Sequence, residues 1–387
     1  MSNTQPDQGR KNVYQELALR PFINAGGSYT QFGGSLMDPK VVEAMREASR
    51  QYVSILELQK AVGQRIASLV GAEAALVTCG CAAALTLATA ACVSEGDEDK
   101  IKRLPDTRGM KNEVILQKSH RIEYDHALRN VGVRLVEIEN RRELKSAINP
   151  KTAMLFFLNM AALEGKIKRQ EFVAIAKDTG VPCLIDAAGD IPPRENLSVF
   201  IQMGYDLAAV SGGKGLRGPQ SSGLLLGRKD LIHAASLNAS PHPDALGRAG
   251  KVGKEEIVGV WKALDLYLSR DHQADWSRWE EQLRVISLAL RGIPGITTEM
   301  FIPAISSRVP HLAIQWDAQS LDFSKSDFVE ALRQGEPRIE VRPKPTTGTR
   351  LELSSWMLKA GEEVLVARRC AEVLRKVVAR AGKINLC

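Results

Sequence analysis

The chain has 387 residues, of which 44% are hydrophobic and 25% are charged, so it can bury a large core and should form two domains. Its net charge of +7 arises from cations scattered among 45 acids, and only 5% of its residues are aromatic, which argues against nucleic acid as a partner. A basic rim would instead suit a small anionic substrate. No apolar run is long enough to span a bilayer, and the first residues lack the apolar core of a signal peptide, so we expect a cytoplasmic protein without a membrane partner.

Alternating helical and strand patterns follow an N-terminal arm at residues 1–35. Apolar residues at helical spacing predict helices over residues 41–52 and 58–70. Short apolar runs predict strands at 74–77, 114–117, 134–138, 153–158, 182–186, 206–211 and 222–227. This alternation predicts an α/β domain over residues 36–262, with a mostly parallel central sheet and helices on both faces.

The last part of the chain, residues 263–387, is predicted to be a small α+β domain. A helix over residues 257–268 should join it to the large domain. Strand patterns at 310–316, 338–342 and 350–354 then precede a closing helix at 360–381. A small domain of this kind can close over a ligand.

Lys214 lies in a glycine-rich turn between two predicted strands. At the end of a buried strand, a neutral lysine amine can form a Schiff base with an aldehyde cofactor. Gly213, Gly215 and Gly218 match the spacing of the dinucleotide fingerprint, but Pro219 and a second strand follow where that motif needs a helix. A phosphate-binding P-loop fails too, because no Ser or Thr follows the lysine. A solvated lysine in a glycine-rich turn remains the alternative.

Asp186 ends an apolar strand upstream of Lys214. A carboxylate at such a position is costly unless a cation pairs with it, and the protonated pyridine nitrogen of pyridoxal phosphate is such a cation. An acid that keeps the ring protonated and a downstream lysine are the working parts of enzymes that use this cofactor. The alternative is an ordinary carboxylate that caps the next turn.

A phosphate site is expected where the strand at 74–77 meets an Ala-rich helical run over residues 82–91. The turn between them consists of Thr78, Cys79, Gly80 and Cys81. Exposed backbone N–H groups and the positive helix dipole suit a dianionic phosphate at such a helix start. Ser211 can add a hydroxyl. A buried helix with a threonine cap remains the alternative.

The spacing of the cysteines does not indicate a metal site. They occupy positions 79, 81, 92, 183, 370 and 387, mostly inside predicted apolar elements and without C-x-x-C spacing. No histidine cluster accompanies Cys79 and Cys81. We therefore expect small core residues and no metal.

Several segments carry a resemblance to a known family, and together they span about Arg20 to Arg342. They are RPFINAGGSYTQFGGSLM, GAEAALVTCGCAAALTLA, RLPDTRGMKNEV, HRIEYDHALRNVG, CLIDAAGD, SGGKGLRGPQSSG and GEPRIEVR. With these motifs the chain resembles the selenocysteine synthase-like family of fold-type I pyridoxal-phosphate enzymes. Within that family it is most similar to the ammonia-lyases that act on D-glucosaminate or its 6-phosphate.

The resemblance implies a fold-type I fold, pyridoxal 5'-phosphate as cofactor, and a homodimer or larger homo-oligomer. It implies Lys214 and Asp186 as catalytic residues of an elimination that gives a 2-keto-3-deoxy acid and ammonia. The selenium transferases carry an additional N-terminal domain that engages tRNA, for which we expect no room here because the match begins near Phe22. A transferase, an amino-acid racemase and a non-catalytic cofactor-binding protein remain alternatives.

Five further residues are candidates for the same site. His120 could stack on the cofactor ring, and Asn159 could contact its ring oxygen. Arg338 could hold a substrate carboxylate through both guanidinium nitrogens, with a surface salt bridge as the alternative. Arg217 could reach phosphate or substrate, and Gln220 could contact the cofactor of a neighbouring subunit.

Overall fold

The computed structural model describes residues 12–317, 321–342 and 347–384, with side chains as far as residue 381. The first eleven residues of the predicted arm and Cys387 lie outside this range. The chain forms two compact units. The large unit consists of residues 28–271 and 303–308, and the described part of the small unit lies within 12–27, 272–302 and 309–384. The domain boundaries expected after residues 35 and 262 stay predictions.

The predicted strands are all present, although the one expected at 338–342 is only two residues long. The strands are β1 (Ile23–Asn24), β2 (Ala74–Thr78), β3 (Glu113–Gln117), β4 (Arg134–Ile138), β5 (Thr152–Leu158), β6 (Cys183–Asp186), β7 (Leu207–Ser211), β8 (Gly223–Gly227), β9 (Ile296–Phe301), β10 (His311–Trp316), β11 (Ile339–Glu340) and β12 (Arg350–Ser354).

The helices follow the predicted patterns, and each of the helices predicted from spacing is present. They are α1 (Val13–Glu16), α2 (Pro39–Ser49), α3 (Ile55–Val70), α4 (Gly80–Ser94), α5 (Glu98–Arg103), α6 (His126–Arg129), α7 (Arg141–Ala147), α8 (Arg169–Thr179), α9 (Val199–Met203), α10 (Lys229–Leu237), α11 (Lys254–Ser269), α12 (His272–Leu290), α13 (Lys325–Gln334) and α14 (Glu362–Ile384). Among the described residues, no helix is both long enough and apolar enough to cross a membrane.

The large unit is built on a seven-stranded sheet in the order β2-β8-β7-β6-β5-β3-β4. Only β8 runs against its neighbours, so the predicted mostly parallel sheet is confirmed. Alternate residues of β6 enter different cores: Cys183 and Ile185 pack on one face, and Leu184 packs on the other. Because helices cover both faces, these strands are continuous apolar runs rather than alternating ones.

The carboxyl ends of β5, β6 and β7 meet at one edge of this sheet. The three strands are parallel, and Leu158 of β5 pairs with Asp186 of β6, which in turn pairs with Ala209 of β7. Residues that follow these strand ends are therefore neighbours in space although they are distant in sequence. In open α/β sheets this edge is where ligands bind.

The small unit has a three-stranded antiparallel sheet in the order β12-β10-β9, and β1 pairs with β11 in parallel. Its core lies between these strands and the helices α12, α13 and α14. Gly26 follows β1, and a Cβ there would lie 2.6 Å from the backbone carbon of Val341. Glycine is therefore required where β1 approaches the chain beyond β11.

Candidate active site

Lys214 lies in the turn after β7, with its side chain half-buried. Its Nζ makes no hydrogen bond and no ion pair with any of the residues that the structure describes. A Cβ on Gly213 would lie 2.5 Å from Gln220 Cα, and one on Gly215 would overlap the Ile191 carbonyl, so the flanking glycines are steric necessities. Because the turn leads into β8 and not into a helix, a dinucleotide fingerprint is excluded.

Asp186 ends β6 and is only 7% exposed. Its Oδ1 accepts a hydrogen bond of 2.9 Å from the Ala188 N–H. Burial raises the pKa of Asp186, and this effect outweighs the hydrogen bond and the charge of Lys214, which both lower that pKa. A cation placed against this carboxylate would offset the cost of burying it.

Asp190 is a second buried carboxyl beside Asp186, and the sequence analysis did not select it. Burial raises the pKa of Asp190 to about 6, against the lowering effects of Asn159, Arg169 and Lys214. Arg169 Nε donates to Asn159 Oδ1, which leaves the amide nitrogen of Asn159 to face Asp190. The available signal was the second acid in the segment IDAAGD, directly after a buried strand.

The start of α4 offers backbone donors with no side-chain cap. Cys79 is the N-cap residue and makes no side-chain capping hydrogen bond, while the Thr78 hydroxyl donates to the Gly80 carbonyl at 2.9 Å. A Cβ on Gly223 would lie 2.6 Å from the same carbonyl, so β8 meets this turn through glycine. Ser211 pairs with Gly223 and therefore lies near the turn. The uncapped N–H groups of the first turn are suited to bind an anion.

The Cys81 thiol connects this helix start with the charged groups. Burial raises the pKa of Cys81, the carboxyls of Asp186 and Asp190 raise it further, and the charge of Lys214 lowers it. Asp186, Asp190 and Lys214 all influence the pKa of this thiol because their charged groups lie close to it. The structure therefore brings together the predicted phosphate turn, Asp186 and Lys214.

His120, which was predicted to stack on the cofactor ring, is fully buried next to β5. Leu158 N–H donates to its Nδ1 at 3.1 Å, and its ring lies edge-on to Phe157 with centroids 4.5 Å apart. Burial lowers the pKa of His120 to about 4, although a hydrogen bond to the backbone of Ala161 raises it. A neutral imidazole without an exposed face has a packing role here, and its contact with a cofactor stays a prediction.

Arg338, the predicted carboxylate ligand of the small unit, is engaged within that unit. Its guanidinium donates to Glu340 Oε1 and lies 5.4 Å from the centre of the Phe22 ring. Glu340 is buried and also accepts from Arg333. The salt bridge that was the alternative for Arg338 is therefore present, and its substrate role stays a prediction.

Arg217 and Gln220 lie in the turn that carries Lys214. The Arg217 N–H donates to the Lys214 carbonyl at 3.0 Å, and Arg217 has a positive φ of 58°. Gln220 Nε2 donates to the Thr30 carbonyl at 2.7 Å. Gln220 thus ties the N-terminal segment of the large unit to this turn, and contacts of either residue with ligands stay predictions.

A loop that the sequence analysis missed also reaches this region. Residues 303–308 connect β9 to β10 but belong to the large unit. Ser306 Oγ and Lys214 Nζ both lie within 4 Å of the position that a Cβ of Gly189 would take. No pattern within the segment PAISSR signalled this placement. Among the described residues, no group of three or more His, Cys, Asp or Glu is arranged to hold a metal ion.

Comparisons with known proteins confirm the family prediction. Residues 22–289 match the family of L-seryl-tRNA selenium transferase. D-glucosaminate-6-phosphate ammonia lyase of Salmonella typhimurium is 30% identical over 373 residues, which cover 94% of this chain and 98% of that protein. The 5'-C-glycyluridine monooxygenase-decarboxylase of a Streptomyces species is also 30% identical, over 93% of this chain and 92% of its own length.

Solved structures agree with this assignment. A structure of D-glucosaminate-6-phosphate ammonia-lyase matches with a TM-score of 0.83 and 29% identity, over 95% of this chain and 99% of that chain. Serine palmitoyltransferase with pyridoxal phosphate matches with a TM-score of 0.59 at 15% identity, over 93% of this chain and 88% of that one. The second match shows the fold alone, which is the predicted fold-type I fold. The chain therefore belongs to the L-seryl-tRNA selenium transferase family.

Proposed function

We propose that the chain is a pyridoxal-phosphate-dependent ammonia-lyase that acts on a 2-amino-2-deoxy sugar acid such as D-glucosaminate or its 6-phosphate. The product would be a 2-keto-3-deoxy acid. The observation that carries the proposal is similarity to an ammonia-lyase over nearly the whole length of both chains, with half-buried Lys214 at the shared sheet edge. Fold alone would not support a function, because one fold serves many reactions.

The described residues fit the cofactor at three points. The uncapped start of α4 suits the phosphate. Asp186 is buried with a raised pKa and one hydrogen bond, as expected of a carboxylate that would hold the ring nitrogen's positive charge. Lys214 Nζ has no partner among the described residues. When bound, the cofactor supplies an aldehyde that captures an amine and a ring that withdraws electrons from the neighbouring carbon.

Lys214 has the central role in the proposed reaction. Its Nζ would take the proton from the carbon that carries the amine and would return a proton to the hydroxyl that leaves the next carbon. The C–H and C–O bonds break, water leaves, and a second water later replaces the nitrogen as ammonia departs. The atoms balance without an oxidant, and the raised pKa of Asp190 provides a second proton-holding group nearby.

The proposal is tested by mixing the cofactor-loaded protein with D-glucosaminate and with its 6-phosphate, and by measuring ammonia and keto acid. Lys214→Ala should reduce the rate by at least about 1000-fold and should remove the visible absorbance of the loaded protein. Lys145→Ala, on an exposed part of α7, should change neither. If the wild-type protein binds the cofactor but releases no ammonia from either compound, the proposal is wrong.

A second candidate follows from the Streptomyces relative, which matches this chain at the same identity. That relative is named for oxygenation and decarboxylation of 5'-C-glycyluridine. The two candidates differ in what they consume, because an ammonia-lyase takes up no oxygen. Oxygen uptake with 5'-C-glycyluridine, together with no ammonia release from D-glucosaminate or its 6-phosphate, would favour the second candidate.

We also propose that the chain forms a homodimer or a larger homo-oligomer. Several large apolar side chains of the large unit are exposed, which favours an interface between copies. They are Leu36, Val42, Tyr52, Val53, Leu56, Met160 and Leu163. Light scattering of the purified protein tests this proposal, and a monomer at micromolar concentration would contradict it.

A further inference from the structure

The loop at residues 303–308 is anchored to the large unit at two points. Ser307 donates to the Gly189 carbonyl from its N–H at 2.7 Å and from its hydroxyl at 3.1 Å. Ile305 packs against the main core of the large unit. Gly189, which accepts these hydrogen bonds, lies between Asp186 and Asp190 in the sequence. The loop is thus held against the acids of the candidate site.

Ser306 has a backbone conformation that non-glycine residues rarely adopt. Its φ is +54°, and Ser307 follows with a φ of +33°. Side chains in this region cost conformational energy, and such residues concentrate at functional sites. The Ser306 side chain is half-buried, and its hydroxyl makes no hydrogen bond with the part of the chain that the structure describes. The strained backbone therefore supports a hydroxyl that has no hydrogen-bond partner among the described residues.

The space above Gly189 has two polar atoms at its boundary. A Cβ built on Gly189 would lie 3.6 Å from Ser306 Oγ and 3.8 Å from Lys214 Nζ, with no other atom of the described residues within 4 Å apart from its chain neighbours. Both distances are ordinary van der Waals contacts. The side of Gly189 that has no side chain is therefore bordered by the hydroxyl and the amine, and a ligand atom there would lie further from Gly189 than a Cβ does.

We propose that this space receives a hydroxyl group of a polyhydroxy acid substrate and that Ser306 positions it by a hydrogen bond. The inference rests on the proposed function and adds a specificity residue to it. A serine hydroxyl both donates and accepts, as does a substrate hydroxyl. A substrate with an apolar group at this place would leave the Ser306 hydroxyl unpaired, and a site built in this way discriminates strongly.

Three variants separate the hydroxyl from the backbone that carries it. Ser306→Ala removes the hydroxyl but keeps a Cβ at positive φ, whereas Ser306→Gly removes the hydroxyl and relieves the strain. Gly189→Ala fills the space without a steric overlap, since its nearest contacts would be those two distances and its φ is not left-handed. Ser269→Ala, on an exposed turn at the end of α11, is the control.

The probe is D-gluconate, which carries the hydroxyls of the substrate but no amine. Calorimetry with cofactor-loaded protein should give an affinity about tenfold weaker for Ser306→Ala and for Ser306→Gly, the effect of one hydrogen bond. Gly189→Ala should weaken binding at least as much, and adding Ser306→Ala to it should cost little more because both changes act on the same space. With D-glucosaminate, the Ser306 variants should raise KM more than they lower kcat.

Each outcome bears on one proposal. Unchanged gluconate affinity in the Ser306 variants, or no gluconate binding by the wild-type protein, overturns the inference. An equal loss of gluconate affinity in the control variant Ser269→Ala also overturns the inference. If gluconate binding depends on Ser306 but no ammonia is released from D-glucosaminate, the inference stands and the proposed function fails. If the Ser306 variants release ammonia from D-glucosaminate with the KM of the wild-type protein, the proposed function stands and the inference fails.

Discussion

Asp190→Asn should stabilise the cofactor-free protein at neutral pH but not in acid. Burial raises the pKa of Asp190 from 3.8 to about 6, so the folded state holds its proton where the unfolded chain has lost it. The free energy of unfolding of the wild-type protein therefore decreases as the pH rises from the pKa of Asp190 in the unfolded chain to its pKa in the folded protein. The decrease is complete above about pH 6. A rise from 3.8 to about 6 corresponds to about 3 kcal/mol. Asparagine keeps the size of the side chain and an oxygen that can accept from Asn159.

The assay is urea unfolding of cofactor-free wild type and variant between about pH 4 and about pH 7. The free energy of unfolding of Asp190→Asn relative to wild type should increase by roughly 2–2.5 kcal/mol over this range, because part of the difference is already present at about pH 4. Asp106→Asn is the control, since Asp106 is only partly buried and its pKa is lowered to about 2 by hydrogen bonds from Arg108. Its difference from wild type should stay constant over the same range. A constant difference for Asp190→Asn would refute the argument that burial holds a proton on this carboxyl.

Two further substitutions test the role of Asp186 and the packing of α3 against β2. Asp186→Asn should lower kcat by about 100-fold or more, yet it should stabilise the cofactor-free protein at neutral pH, because the folded pKa of Asp186 is raised. A loss of both activity and stability would mean that Asp186 is structural. Gly63→Ala should lower the free energy of unfolding by about 1–3 kcal/mol, because its Cβ would overlap the Ala75 carbonyl where α3 meets β2. Exposed Lys60→Ala should change the urea midpoint little.

The sheet and its helices could be predicted because each strand is an apolar run that ends at a polar residue or glycine. The positions of Asp186 and Ser211 at the sheet edge were predicted in this way, since parallel strands place their carboxyl ends at one edge. The turn from Thr78 to Cys81 was found because an Ala-rich helix follows a strand there. Local pattern and sheet geometry were sufficient for these positions.

The remaining site residues depend on contacts between segments that are far apart in sequence. Ser306 reaches the site because Ser307 binds the Gly189 carbonyl, and no periodicity encodes that contact. His120 was predicted to stack on the cofactor ring since it follows a strand, and its hydrogen bond from the Leu158 N–H could not be read from that position in the sequence. For Arg338, the sequence left a substrate contact and a salt bridge open, and its hydrogen bonds to buried Glu340 could not be read from the sequence.

The charges at the sheet edge explain why a single ligand suits this site. Among the described residues, Asp186 has no hydrogen-bonded cation and its pKa is raised, and Lys214 has no anionic partner. The two groups are nevertheless close enough for the charge of Lys214 to lower the pKa of Asp186. Pairing the two directly would satisfy both charges and leave no reactive amine. A ligand with a cation on one side and an electrophilic carbon on the other satisfies both groups at once, and its phosphate would meet the uncapped start of α4. This arrangement is the one expected if the proposed cofactor binds between Asp186, Lys214 and the start of α4.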